Sequence, residues 1–180
     1  MKTFITSDLH LFHKGILNFD SGTKRKHFSS VEEMNETLVS NWNSVVGKDD
    51  LVYDLGDLGL CSPNKLRTVL SRLNGKHFLI PGNHDKRKDI NKIADLFVGI
   101  ENYKEIYYVY NGIKYHICMM HYPIASWNRK RYSSIHFFGH CHGTYKQQGK
   151  SMDVGIDTDF ANLYPINIEH AIEYMNTIEI

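Results

Sequence analysis

The chain has 180 residues, of which 42% are hydrophobic and 23% charged, and its formal net charge is +1. That length suits one domain, residues 1–180, with a substantial apolar core. The composition excludes disordered, collagen-like and coiled-coil classes, and the charge gives no support to a strongly basic nucleic-acid-binding surface. Cys61, Cys118 and Cys141 follow no C-x-x-C spacing, so neither a disulfide framework nor a zinc knuckle is expected. Met1 leads straight to Asp8 without a signal-peptide core, and no apolar run is long enough for a bilayer, so no membrane association is expected.

In chain order, Phe4-Ile5 reads as a strand entering Asp8-Leu9-His10. The basic run Lys24-Arg25-Lys26-His27 reads as a solvated loop, as does Lys86-Arg87-Lys88 further on. Val31, Met34, Leu38, Trp42 and Val45 recur at helical spacing behind a Ser30-x-x-Glu33 capping box, which predicts a helix from Val31 to Val46. Leu51-Val52-Tyr53 is strand-like and runs into Gly56-Asp57. A second helix is predicted from Pro63 to Leu73, with Ser62 as its N-cap and Gly75 just beyond its end. Phe78-Leu79-Ile80 precedes Gly82-Asn83-His84-Asp85, and a shorter helix is expected near Asp89 to Phe97. Lys104 to Tyr110 and Ile113 to Met119 flank Asn111-Gly112, a two-residue hairpin signal, and the second of these runs leads to His121. Ile135 to Phe138 precedes Gly139-His140-Cys141-His142, a strand is expected around Met152 to Ile156, and a last helix from Ile168 to Met175. Helices alternate with strands first, and strands follow one another later. Two sheets packed face to face with helices outside accommodate both halves.

Five times, then, a short apolar run ends in a polar cluster. In open α/β sheets ligands bind beyond the carboxyl ends of strands, so these scattered clusters are expected to converge on one site. On extended backbone Asp8 and His10 would project to the same side, as would His140 and His142, while Cys141 would turn away into the core. Gly56, Gly82 and Gly139 would supply turn conformations closed to other residues. Carboxylates, imidazoles and one amide suit manganese, iron, zinc, nickel or cobalt rather than calcium, and magnesium would call for more oxygen.

The series Asp8-x-His10, Gly56-Asp57, Gly82-Asn83-His84-Asp85, His121 and Gly139-His140-x-His142 resembles the calcineurin-like metallophosphoesterase family. Ser7-Asp8-Leu9-His10-x-x-His13 and Met152-Asp153-Val154-Gly155-Ile156-Asp157 resemble its small one-domain bacterial and phage members. The resemblance implies a four-layer αββα sandwich of two mixed β-sheets flanked by helices. It implies two divalent metal ions, manganese first among the candidates. One would be held by Asp8, His10, Asp57 and His142, the other by Asp57, Asn83, His121 and His140, with Asp57 bridging. His84 would face the substrate rather than the metals. Protein phosphatases of the family carry an aspartate and an arginine where this chain has Leu60 and Cys61, which argues against a phosphoprotein substrate. A cytoplasmic location is expected, that of the host if the chain is phage-encoded.

Two such ions lower the pKa of a shared water and brace an in-line displacement, which makes a bridging hydroxide the expected nucleophile. His84 is the expected acid or phosphoryl contact, with Asp85 orienting it. His13, Arg129 and Arg131 are candidate substrate contacts, the last two in the loop from Ser126 to Tyr132. Asp153 and Asp157 would either hold a ligand imidazole or cap a turn. The expected function is hydrolysis of a phosphodiester or small phosphomonoester. The alternatives are a nuclease or cyclic-nucleotide phosphodiesterase acting on a nucleic acid or nucleotide, and a catalytically inactive metal-binding scaffold. The aromatic-rich stretch Tyr103 to Tyr115 is a candidate contact face for a homo-oligomer.

Overall fold

A computed structural model of the chain describes residues 1–19, 24–145 and 149–178. Five strands make the first sheet: β1 (Thr3–Thr6), β2 (Leu51–Asp54), β3 (Lys76–Leu79), β4 (Phe97–Ile100) and β9 (Ile166–Asn167), in the order β4-β3-β2-β1-β9. The first four run parallel and β9 is antiparallel to β1. The second sheet, β5-β6-β7-β8, consists of β5 (Lys104–Tyr110), β6 (Ile113–Met119), β7 (Ile135–Phe138) and β8 (Ser151–Asp153). Here β5 and β6 form an antiparallel hairpin, and β6, β7 and β8 are parallel. Both sheets are therefore mixed, and they form the expected sandwich.

The first sheet is apolar on both faces because its strands alternate between two cores. Phe4, Val52 and Leu79 join the core shared with α1 (Val31–Val45), α2 (Pro63–Leu70) and α3 (Arg87–Ile90). Ile5, Tyr53 and Phe78 face the second sheet, where they meet Ile117, Phe137 and Met152. The last helix, α4 (Ile168–Asn176), also packs into this inter-sheet core, through Ile168, Ala171, Ile172 and Met175. Outside the second sheet lies the segment after His121, with a 3₁₀ turn at Lys130–Tyr132 and Trp127 against the His136 ring of β7.

Local signals hold with informative exceptions. Asn111 and Gly112 both have positive φ, the requirement of a type I′ turn, and Tyr110 pairs with Ile113 across it. The Ser30 hydroxyl accepts from the Glu33 amide at 3.1 Å, but the Glu33 carboxylate turns to Ser29 N and Oγ, so the capping box closes one residue early. The helix expected from Pro63 to Leu73 stops at Leu70. That expected near Asp89 to Phe97 divides into α3 and a 3₁₀ stretch, Asn91–Leu96, before Phe97 opens β4. Arg25 overturns the solvated-loop reading: it lies on a 3₁₀ turn, Lys24–His27, and its side chain is fully buried. No helix among the described residues is long and apolar enough to cross a membrane.

Candidate metal centre

Because β1, β2, β3, β6, β7 and β8 end at the same edge of the sandwich, the residues after them meet there. Asp8 and His10 follow β1, Asp57 follows β2, Asn83 and His84 follow β3, His121 follows β6, and His140 and His142 follow β7. All the expected ligands are brought together, yet not by extended backbone. Asp8, His10, Asp57, His140 and His142 have φ between 48° and 70°, in the left-handed region that L-residues rarely occupy. The expectation that each pair shares a side by strand alternation is thereby corrected. For the same reason Cys141 is only half-buried instead of sitting in the core. The left-handed residues are held by bonds between loops: Asp8 N donates to Gly56 O at 2.8 Å and His10 N to Asp57 O at 2.9 Å.

Of the three glycines, only Gly56 has positive φ. Gly82 and Gly139 matter for closeness instead. A Cβ at Gly82 would strike Asp57 Oδ1, and one at Gly139 would strike Ser7 Oγ and come within 2.5 Å of Asp8 Oδ2.

Asp57 stands at the middle. Its Oδ1 accepts from the His84 amide at 2.8 Å, whereas Oδ2 lies 3.7 Å from His10 Nε2, 3.5 Å from His121 Nε2 and 3.9 Å from His84 Nε2. Asp8 repeats the arrangement: Oδ2 accepts from the His140 amide at 2.9 Å, and Oδ1 is 3.8 Å from His10 Nε2. Both Asp8 Oδ1 and His10 Nε2 are buried without a hydrogen-bond partner. Burial pushes the Asp8 carboxyl up to about 8 and the His10 imidazole down to about 2. A buried lone-pair set of this kind is stabilised by a cation.

Tautomers point the same way. His121 Nδ1 donates to Leu55 O at 2.7 Å, which leaves a lone pair on Nε2, 3.1 Å from the acceptor Asn83 Oδ1. His142 Nδ1 donates to Asp157 Oδ2 at 2.9 Å, which frees its Nε2. Ligand atoms of Asp8, His10 and His142 lie within 4.8 Å of one another, as do those of Asp57, His121 and His140, and those of His10, Asp57 and His84. The residues therefore fit divalent ions, with donors of the types expected. The half around Asp8, His10 and His142 is buried, while Asn83 and His140 are exposed at the mouth.

Other expected residues sort differently. His13 Nδ1 lies 3.2 Å from His10 Nδ1 and lines the same cavity, of about 360 Å³, as His10, Asp57, Asn83, His84, His140 and His142. Arg129 and Arg131 are not among its described lining residues; Arg129 lines a separate cavity with Tyr107 and Lys114. The expected role of Asp85 is corrected too. Its carboxylate accepts from the amides of Asp57, Leu58 and Gly82 at 2.7–3.1 Å, so it braces two ligand loops against each other rather than the His84 ring. Burial raises its pKa to about 6 even against those amides. Asp153 caps a turn through Gly143 N and Gly155 N, whereas Asp157 holds the His142 imidazole.

Three contributors escaped sequence reasoning. Arg25 donates to Asp157 Oδ2 at 2.7 Å, to Leu9 O at 2.9 Å and to Asp8 O, and nothing in the run Lys24-Arg25-Lys26-His27 distinguishes it beyond being the arginine. Against the cost of burial, the His142 hydrogen bond and the Arg25 charge hold Asp157 well below the usual carboxylate range. Phe19 and Tyr122, both partly exposed, set their rings 5.4 Å from His142 and 4.8 Å from His140.

Comparison with known proteins accords with this geometry. A sequence profile described as calcineurin-like phosphoesterase matches residues 1–154. The chain is 32% identical over 175 residues to the uncharacterized protein MJ1445 of Methanocaldococcus jannaschii, covering 93% of this chain and 88% of that protein. It is 39% identical over 100 residues to the Gene 66 protein of Mycobacterium phage L5, covering 54% of this chain and 46% of the phage protein. Among solved structures, a protein of unknown function from Aquifex aeolicus, AQ665, shares the fold with a TM-score of 0.69 at 21% identity, over 96% of this chain and 98% of that one.

Proposed function

We propose, given that this chain belongs to the calcineurin-like phosphoesterase family, that it hydrolyses phosphodiesters at a centre of two divalent ions sharing Asp57. Asp8, His10 and His142 complete the buried half, and Asn83, His121 and His140 complete the half at the mouth. One observation carries this reading. Asp57 Oδ2 stands between the His10 and His121 imidazoles, at 3.7 and 3.5 Å, with its partner oxygen already committed to an amide. Two divalent ions there, manganese first, would lower the pKa of water and neutralise charge on the phosphoryl oxygens.

The chain's own residues supply the rest. His84 is held by its amide to Asp57 while its half-exposed ring faces the cavity, the placement of a group that donates a proton to the leaving oxygen. His13 supports His10 from behind through the Nδ1 contact, which leaves His10 Nε2 turned to the carboxylates. What favours a diester is the cavity wall. Its described residues include no lysine or arginine, and a diester's single negative charge asks less positive charge of the site than a monoester's two.

A nucleotide diester is the version of this reading that a further observation favours, because the half-exposed Phe19 ring lines the cavity beside His142, and the Tyr122 ring stands beside His140, where a base could stack. The test is to incubate metal-stripped protein and manganese with bis-p-nitrophenyl phosphate, p-nitrophenyl phosphate and a 2′,3′-cyclic nucleotide. Manganese-dependent turnover of the diesters above the monoester is expected. Metal binding without turnover of any ester would replace the enzyme by a metal-binding scaffold.

A further inference from the structure

We propose that the buried Arg25–Asp157 pair is a positioning device for the buried half of the metal centre, and that it sets the affinity of that half separately from the half at the mouth. This rests on the two-ion reading above. Arg25 reaches the centre by two routes. Through Nε it pairs with Asp157, whose carboxylate also takes the Nδ1 proton of His142 at 2.9 Å. That chain fixes the tautomer and ring orientation of His142 so that Nε2 faces Asp8, the arrangement by which a carboxylate behind a histidine raises metal affinity. Through Nη1 and Nη2 it holds the carbonyls of Leu9 and Asp8. Those carbonyls lie in the segment where Asp8 and His10 adopt left-handed φ of 60° and 48°, a conformation that persists only when its surroundings enforce it.

Stability alone does not account for such a residue. Burying an arginine and an aspartate carries a desolvation cost that an apolar pair of similar volume avoids, and such replacements are often neutral or stabilising. Arg25 is nonetheless fully buried, and among the described residues its polar contacts, but for that to Met34 Sδ, go to the backbone or the carboxylate behind the buried ligands. Among the described contacts Arg25 touches no ligand at the mouth: His121 is tied to Leu55 O, and His140 meets the buried half only through its amide, at Asp8 Oδ2, not through its imidazole. The device therefore acts directly on the buried half and reaches the other only through the His140 amide.

The experiment is manganese titration of stripped protein, read by binding rather than turnover, with Arg25→Lys introduced into two backgrounds. His140→Ala leaves the buried half as the stronger site, and His142→Ala leaves the half at the mouth. Arg25→Lys is expected to weaken binding by about 10- to 100-fold in the first background and by less than about 2-fold in the second. Equal losses in both, or none in either, overturn the proposal. If the lysine variant does not fold, Arg25→Met with Asp157→Asn removes both charges together, and the same comparison applies. Failure of that variant to fold as well also overturns the proposal, since the pair is then a staple of the fold. An otherwise unaltered chain that binds fewer than two ions refutes the two-ion reading instead, and that outcome is read in a separate titration.

Discussion

Among the described residues, two regions bring together side chains of the kinds that bind metals, and they differ in how their donor atoms are satisfied. Around Asp57, carboxylate Oδ2 faces the His10 and His121 Nε2 atoms at 3.7 and 3.5 Å without a hydrogen bond, and Asp8 Oδ1 and His10 Nε2 are buried without a partner. Glu105, His116 and Cys118 on the β5–β6 hairpin are equally close. There, however, Glu105 Oε1 accepts from Tyr103 at 2.7 Å, and Oε2 lies 2.7 Å from His116 Nε2 and accepts from Asn128 at 2.9 Å. Its lone pairs are already met by protons. Proximity of ligand-type residues is thus a weak signal, whereas mutually facing acceptors buried without donors are a strong one.

The largest effect is expected of Asp57→Asn, which would remove the carboxylate that the two proposed ion sites share. Loss of both ions and of manganese-dependent hydrolysis to background is expected, read by metal analysis and by bis-p-nitrophenyl phosphate turnover. His84→Ala is expected to lower kcat by about 10²- to 10⁴-fold with unchanged metal content, because its ring faces the cavity while its amide stays on Asp57. Equal loss of metal would assign the imidazole to an ion instead.

The buried His136 makes the contrast with protons. His136 donates from Nδ1 to Cys118 O and its Nε2 accepts from Ile124 N, and burial lowers its pKa to about 4 from 6.5. The folded protein therefore takes up this proton at lower pH than the unfolded chain does. Stability is expected to fall as pH drops from 6.5 to 4, by up to about 3 kcal/mol from this group. In thermal melts across that range, His136→Gln should flatten the dependence, and an unchanged slope would remove His136 from the cause. The smallest effect is expected at the satisfied cluster: Glu105→Gln should leave metal stoichiometry unchanged and kcat/KM within about 2-fold, as for distant independent sites.

What was legible in the sequence follows the same physics. Ligand types and strand-end placement could be read because they are chemistry written in residue identity. The hairpin could be read because Asn111-Gly112 tolerates the positive φ it needs. Strands β4 and β9 were not legible. β9 has two residues, and β4 follows a helical pattern and gains its identity from pairing with β3, where Gly99 lets the Phe78 ring lie against the backbone. The left-handed backbone at Asp8, His10 and Asp57 was illegible for a deeper reason. It is enforced by long-range partners, including the buried guanidinium of Arg25, which sequence gives no means to separate from the lysines beside it.

Crystals grown with manganese and measured at a wavelength of strong manganese anomalous scattering test the two-ion centre most directly. Two anomalous peaks on either side of Asp57 Oδ2, about 3.5–4 Å apart, with none between Glu105, His116 and Cys118, are expected. A single peak, or none at Asp57, would contradict a shared-carboxylate centre. A peak at Glu105 would contradict the rule that separates the two clusters.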